Sequence, residues 1–319
     1  MAGKILVLGS SNVDLILKTP RFHDPGETIA AEKMITAFGG KGANQAIAAR
    51  RLGGKVVFLT KLGNDPYAGD YRDYLVRNGL PSGFLLRDPR LPTGVALIQL
   101  GPKAENRIVI AAGANGSLSV ADLRRLSAAW EGVSVFVSQL ETPLPAVTGG
   151  LKIARDRGIT TVLNPAPASP FPKDLLRHVD YLVPNAREAE TLTGIRMKKE
   201  EDLPRIAGKL LRLGAGNVVI TLGSRGLFFT NGKEEIRMPA FRVKAVDTTA
   251  AGDAFVGGFA VGLSEHRPIH EVLRMASAAG ALAATKLGAQ PSLPFKKDLE
   301  KLLTRRGDSR IAPTPQRQT

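Results

Sequence analysis

Six short runs constrain this chain more than any other feature: Ile5–Gly9, Val56–Leu62, Val133–Leu140, Thr160–Leu163, Tyr181–Val183 and Val218–Leu222, several of them apolar or β-branched at every position. A strand with one wet face alternates apolar and polar residues. A strand apolar on both faces has to be covered on both, which is the condition of a mainly parallel sheet between helices. Segments of helical spacing lie between the runs: Asn44–Leu52, Tyr67–Asn78, Ala121–Trp130, Leu144–Arg157, Arg187–Thr193, and Leu203–Leu213 with Gly214 as a stop signal. The expected class is α/β.

A second pattern interrupts this rhythm. Val13–Thr19, Thr28–Phe38, Thr93–Leu100 and Ile108–Ile110 alternate apolar and polar residues, with turn-rich links such as Asp24-Pro25-Gly26. They read as a small antiparallel β-sheet, formed by about 12–38 and 92–111 and standing over the main sheet as a lid, a dimer surface, or both. One domain is expected over residues 1–304. The segment 305–319, with Pro313 and Pro315, reads as a disordered basic tail.

Composition narrows the chemistry. The absence of Cys from all 319 residues excludes disulfides, thiolate zinc, iron–sulfur clusters and thiol nucleophiles, so oxygen and nitrogen groups must do any catalysis. His23, His178, His266 and His270 share no ligand-like or triad-like neighbourhood. Lys+Arg 44 against Asp+Glu 29 gives +15, but the charge is spread along the chain and aromatics are only 5%. That pattern argues against a nucleic-acid partner and for attraction of phosphorylated small molecules. No apolar run has the roughly 18 residues of a membrane span, and Ile5–Leu8 is too short for a signal-peptide core, so no membrane partner and a cytoplasmic location are expected.

Four places can carry chemistry. In Asp247-Thr248-Thr249-Ala250-Ala251-Gly252-Asp253, small residues open a helix that runs through Leu263. Successive N–H groups at the positive end of a helix dipole cradle an anion, and Asp253 adds a carboxylate beside them. That combination suits phosphoryl transfer to a hydroxyl, although on spacing alone Asp253 is equally a dipole partner of the first helical turn. Phe38-Gly39-Gly40-Lys41-Gly42-Ala43-Asn44-Gln45 is a second Gly-rich helix entry. It matches neither a P-loop nor a dinucleotide turn, which leaves close backbone approach to a ligand, with Asn44 able to bond a hydroxyl.

Asn12 and Asp14, two residues apart after the first strand, share a face if the chain stays extended and suit the vicinal hydroxyls of a polyol; a turn closed by Asn and Asp is the plainer reading. Glu141, Asn164 and the pair Asn185/Glu188 follow three strands, at the carboxyl ends where open α/β sheets hold ligands. Asn185 and Glu188, an i, i+3 pair, can hold the water shell of Mg²⁺, and Asn185 is also a helix cap.

The two glycine-rich runs, Gly39-Gly40-Lys41-Gly42-Ala43-Asn44 and Asp247 to Asp253, resemble the two signatures of the PfkB-type carbohydrate kinases. Supporting stretches are Gly9–Asp14, Ala111–Asn115, Gln139-Leu140-Glu141, Asn164–Ala168, Thr221–Gly226 and Gly288–Ser292, so the likeness covers about residues 4–300. The resemblance implies a three-layer α/β sandwich with a β-sheet lid that also forms a homodimer, and transfer of phosphate from ATP to the 5-hydroxyl of D-ribose with Mg²⁺. By the same resemblance, Asn12, Asp14, Gly40, Lys41, Asn44 and Glu141 would hold the sugar. Asp253 would be the base, with Ala250, Ala251 and Gly252 as its anion hole. Asn185, Thr221, Gly223, Ser224 and Gly226 would take the nucleotide, with Glu188 near Mg²⁺ through water. Asp247, Thr249, Ala283, Lys286, Gly288 and Ser292 match the positions of a monovalent cation, K⁺. The chain departs from the family at Ala254 and Val256, where Thr and Asn are usual, and at Lys286, where Arg is usual. A sister kinase for deoxyribose, fructose or a nucleoside, or a silent sugar sensor, are the competing readings.

Overall fold

A computed structural model describes residues 2–102, 105–169 and 171–304, so the expected tail lies outside the described residues. In chain order its strands are β1 (Lys4–Leu8), β2 (Asn12–Lys18), β3 (Lys33–Gly39), β4 (Lys55–Leu62), β5 (Leu85–Arg87), β6 (Gly94–Leu100), β7 (Asn106–Ala111), β8 (Val133–Ser138), β9 (Thr160–Leu163), β10 (Tyr181–Leu182), β11 (Asn217–Thr221), β12 (Leu227–Thr230) and β13 (Glu235–Met238). Its α-helices are α1 (Lys41–Arg51), α2 (Pro66–Arg77), α3 (Val120–Arg125), α4 (Leu144–Asp156), α5 (Ala186–Thr193), α6 (Leu203–Arg212), α7 (Ala251–Ser264), α8 (Ile269–Ala283) and α9 (Lys296–Leu303).

The main sheet runs β13-β12-β11-β10-β9-β8-β1-β4-β5, parallel from β11 to β5 and antiparallel at β11–β12–β13. Its apolar runs are used on both faces. Ile5 and Val7 of β1, Phe58 of β4, Val137 of β8 and Val219 of β11 pack into one core, with α1, α2, α7, α8 and α9. Leu6 and Leu8, Leu59, Phe136, Val218 and Ile220, from the same strands, pack into a second core with α3, α4, α5 and α6. The period-2 alternation of a strand thus feeds two helix layers, and the sandwich has three layers, as expected.

The small sheet has the order β3-β2-β6-β7. Its outer pairings β2–β3 and β6–β7 are antiparallel, but its central pair β2–β6 is parallel, because β6 is reached through α1, β4, α2 and β5 rather than by a hairpin. The expected strand Thr28–Phe38 begins only at Lys33, and the expected helix Ala121–Trp130 ends as α at Arg125 and resumes as a 3₁₀ turn at Ser127. Among the described residues no helix is long and apolar enough to cross a membrane.

Two helices that matter for the site meet through glycine. A Cβ on Gly257 would lie 2.6 Å from Ala48 Cβ and 2.9 Å from Ala49 N of α1, and one on Gly258 would lie 3.1 Å from Ala279 Cβ of α8. Glycine inside a helix costs about 1 kcal/mol relative to alanine. Here it lets α7 press against α1 and α8, which brings the amino ends of α1 and α7, and the side chains they carry, to one place.

Candidate active site

The chain leaving β1 and the first turn of α1 lie flush. A Cβ on Gly42 would sit 2.5 Å from the Gly9 carbonyl carbon and Ser10 N. Gly40 bridges β3 to α1 at φ 91°, a conformation costly for any residue with a Cβ, and its own Cβ would meet Asn12 N at 2.8 Å. These two glycines explain why the turn is Gly-rich without being a P-loop. Glu141 ties it to the sheet by accepting hydrogen bonds from Ser10 Oγ (2.5 Å) and Lys41 N (3.0 Å).

Asp253, only 7% exposed, sits in the first turn of α7 and accepts from both neighbours on α1: Asn44 Nδ2 at 2.9 Å and Gln45 Nε2 at 3.1 Å. Burial pushes its carboxyl above the usual carboxylate range, against the Lys41 charge and the two amide donors. Gln45 is itself fixed, donating to Asn164 Oδ1 (3.0 Å) and accepting from Gln139 Nε2 (2.7 Å), and Asn164 donates to Val183 O (2.9 Å). Asn44 Oδ1 is buried and has no hydrogen-bond partner in the structure. A buried acceptor left over beside a raised-pKa carboxylate fits a hydroxyl donor.

Around Asp253 lies a cavity of about 220 Å³ lined by Lys41, Asn164, Asn185, Glu188, Thr221 and the α7 entry, including Ala250 and Gly252. Ala250 caps α7 at φ 59°, left-handed backbone that costs a non-glycine residue about 1–3 kcal/mol. Of the three expected anion-hole residues, Ala251 has its N–H taken by Thr248 O (3.1 Å). Gly252 and Asp253 precede the first i→i−4 bond, which runs from Ala254 N to Ala250 O (2.8 Å), so theirs are the N–H groups a helix start leaves over for an anion. Burial lowers the Lys41 pKa, but the carboxylates of Asp253, Glu141 and Glu188 outweigh it and hold the ammonium above its ordinary value. A cation and a helix start face one space.

The remaining expected residues fall in three groups. Asn12 Oδ1 accepts from Asn115 Nδ2 (2.7 Å), neither Asn12 nor Asp14 is among the residues lining the cavity, and the Asp14 carboxyl, pushed up first by burial, also feels the charges of Glu141 and Asp253. Asn185 and Glu188 form a reciprocal cap in which Asn185 N and Nδ2 donate to the two Glu188 oxygens at 2.8 Å each, and burial raises the Glu188 pKa. Gly223, Ser224 and Gly226 form the turn after β11 and do not line the cavity. Asp247 clasps two segments together: Oδ1 accepts from Thr249 N (2.9 Å) and Oγ1 (2.7 Å), and Oδ2 from Gly288 N (2.9 Å). Ala283 ends α8 in the core, Ser292 is buried in the 290–292 turn, and Lys286 is exposed. Ala254 and Val256 are buried in α7, with Val256 at the cavity wall.

Sequence reasoning missed Ser10, Gln45, Gln139 and Asn115 as positioning residues. One signal was available for Gln45: a polar residue inside Ala43–Ala49, an otherwise apolar helical run after Asn44.

A helix start with N–H groups left over and a buried carboxylate meet at the strand ends, an arrangement that suits phosphoryl transfer. The pfkB family carbohydrate kinase model matches residues 2–296, and the chain belongs to that family. Within it the chain is an enzyme similar throughout to ribokinases. It is 40% identical over 299 residues to ribokinase of Haemophilus influenzae, covering 93% of this chain and 97% of that protein. Deoxyribokinase of Salmonella typhi is 35% identical over 301 residues, 94% of this chain and 98% of that protein. The structure of Arabidopsis thaliana ribokinase complexed with ribose and ATP superposes with a TM-score of 0.87 at 31% identity, covering 95% of this chain and 99% of that one.

Proposed function

We propose that this chain transfers the terminal phosphoryl group of ATP to the 5-hydroxyl of D-ribose. The observation that carries the reading is the Asp253–Asn44–Gln45 cluster, a buried carboxylate oriented by two amides beside an unpartnered acceptor and the free start of α7. Asp253 takes the hydroxyl proton as the O5–P bond forms and the bond from phosphorus to ADP breaks; ADP leaves with the charge, and the proton passes to solvent with the product. Gly252 and Asp253 N–H groups and the Lys41 ammonium face the transferred group. Asn12 and Asp14 hold the ring hydroxyls, and Asn185 and Thr221 stand on the nucleotide side.

Mg²⁺ fits beside Glu188, whose carboxylate lies in the same cavity as Asp253 and keeps lone pairs beyond those Asn185 uses; when bound it offsets phosphate charge. A homodimer through the small sheet belongs to the same reading, because Met34 and Ile35 of β3, Leu97 of β6, and Ile108, Val109 and Ile110 of β7 are exposed, which suits a second copy. The similarity to a deoxyribokinase as well as to ribokinases supports testing acceptors side by side. ADP release measured with ribose, 2-deoxyribose, fructose and adenosine is expected to favour ribose. A higher kcat/KM with any other acceptor transfers the assignment to that sister activity, and ribose binding without turnover with any acceptor makes the chain a sensor.

A monovalent cation fits the oxygen-rich clasp of 247–249 against 288–292, held by Asp247 and by the Val246 and Asp247 N–H bonds to Ala284 O. The Asp247 pKa is lowered: burial pushes it up, and the Thr249 and Gly288 donors outweigh that, so a carboxylate is present at neutral pH. The cation would steady the loop that delivers the Gly252 N–H. Initial rates are expected to rise severalfold when K⁺ replaces Na⁺ at constant ionic strength, a difference that general screening cannot produce. Equal rates in matched KCl and NaCl remove the cation from the mechanism.

A further inference from the structure

The segment 288–292 and the sugar-side turn at Gly39 lie far apart in sequence, and one buried side chain of α2 touches both. Tyr71 is 0% exposed. Its hydroxyl donates to the Gly39 carbonyl and accepts from Gln290 Nε2 at 3.1 Å. The polarity of this relay is fixed: Gly39 O can only accept, so it takes the single phenolic proton, and Gln290 must then present its amide N–H. Gln290 is 1% exposed, and its Oε1 has no hydrogen-bond partner, so the Tyr71 hydroxyl is the contact its side chain makes in the interior.

Both ends of the relay are held. The Tyr71 ring stacks on Phe38, centroids 4.3 Å apart and 8° from parallel, next to Gly39 itself. Gly39 pairs with Asn12 across β2–β3, and the Asp14 carboxylate lies over its Cα. At the other end, Arg51 of α1 donates through Nη1 to Gln290 O (2.7 Å) and Leu293 O (3.1 Å), which pins the backbone of the 290–292 turn. A displacement of that turn therefore reaches Gly39 through two hydrogen bonds on one rigid ring, and Gly39 adjoins the residues read as sugar-binding.

We propose that Tyr71 is a positioning residue that couples the 288–292 loop to the Gly39–Lys41 turn, so that its hydroxyl sets sugar affinity and the response to monovalent cation together. The proposal rests on the sugar-kinase and cation readings above, and wild-type protein measured alongside separates the two. Wild type that phosphorylates no sugar, or is indifferent to K⁺, refutes those readings; wild type that phosphorylates ribose and responds to K⁺ leaves Tyr71 alone on trial.

Tyr71→Phe keeps the ring and its stack on Phe38 while leaving Gly39 O without its donor and Gln290 Nε2 without its acceptor. The expected result is a rise of about tenfold in ribose KM, kcat within about twofold, and a severalfold rise in half-saturating K⁺. Gln290→Met breaks the relay from the other side, and the double variant is expected to be no worse than Tyr71→Phe alone, since each removes the same connection. A purely structural tyrosine would lower the melting temperature and leave ribose KM and half-saturating K⁺ where they were; that result, or additive effects in the double variant, overturns the proposal. Should Tyr71→Phe fail to fold, Gln290→Met decides, with unchanged ribose KM and K⁺ response counting against coupling.

Discussion

Asp253→Asn is expected to cut kcat by about 10²–10⁴-fold while leaving ribose KM within about twofold. The substitution preserves shape but removes the carboxylate proposed to take the hydroxyl proton. It also reverses one hydrogen bond. Asp253 accepts from two amides, whereas asparagine can accept from one and must turn its own N–H groups toward the other. Gln45 is fixed by Asn164 and Gln139 and keeps donating, whereas Asn44, whose Oδ1 has no partner, can turn that oxygen to accept from the new amide. The fold is therefore expected to hold, and single-turnover rates on folded protein report the lost base. Near-normal turnover in folded Asp253→Asn would remove Asp253 as the base.

Much of this arrangement is legible in the sequence. The two glycine runs announced close approach, and the structure shows what approaches: Gly42 against the Gly9–Ser10 backbone, and the Ala250–Asp253 entry against the cavity. Doubly apolar strands announced the three layers, because burial on two faces leaves consecutive apolar positions, Ile5 to Leu8 of β1 and Val56 to Leu59 of β4. Long-range partnership leaves no such mark. Asn44 and Asp253 are 209 residues apart, Gln45 and Gln139 are 94 apart, and no local period relates them. The same limit hid the parallel β2–β6 pair: alternation shows that a strand has one wet face and says nothing about the direction of its neighbour. Strands β12 and β13 were not among the expected runs, and length is not the reason, since β9 is also four residues long and was legible as Thr160–Leu163.

Asp14 carries the second large effect, through the state of its carboxyl. Burial first, then the charges of Glu141 and Asp253, raise its pKa from 3.8 to about 7. Burial favours the neutral carboxyl, whereas accepting hydrogen bonds from two sugar hydroxyls through both oxygens favours the carboxylate, so sugar binding works against this shift. The sign follows: Asp14 is protonated below about pH 7, and kcat/KM for ribose is expected to fall about tenfold per pH unit below that value and to level off above it. Asn12 complements it, since Asn115 occupies the Asn12 oxygen and leaves donors where Asp14 leaves acceptors. A sugar lacking one hydroxyl strands part of this pair in a buried crevice, so ribose should exceed 2-deoxyribose in kcat/KM by about 10–10²-fold. Asp14→Ala is expected to lower ribose kcat/KM by about 10²-fold, bring the two sugars within about threefold of each other, and remove the Asp14 contribution to the acid limb. What remains of that limb then belongs to Asp253, whose pKa is raised by burial as well. An unchanged sugar ratio together with an unchanged pH profile in Asp14→Ala would show that the hydroxyls are read elsewhere.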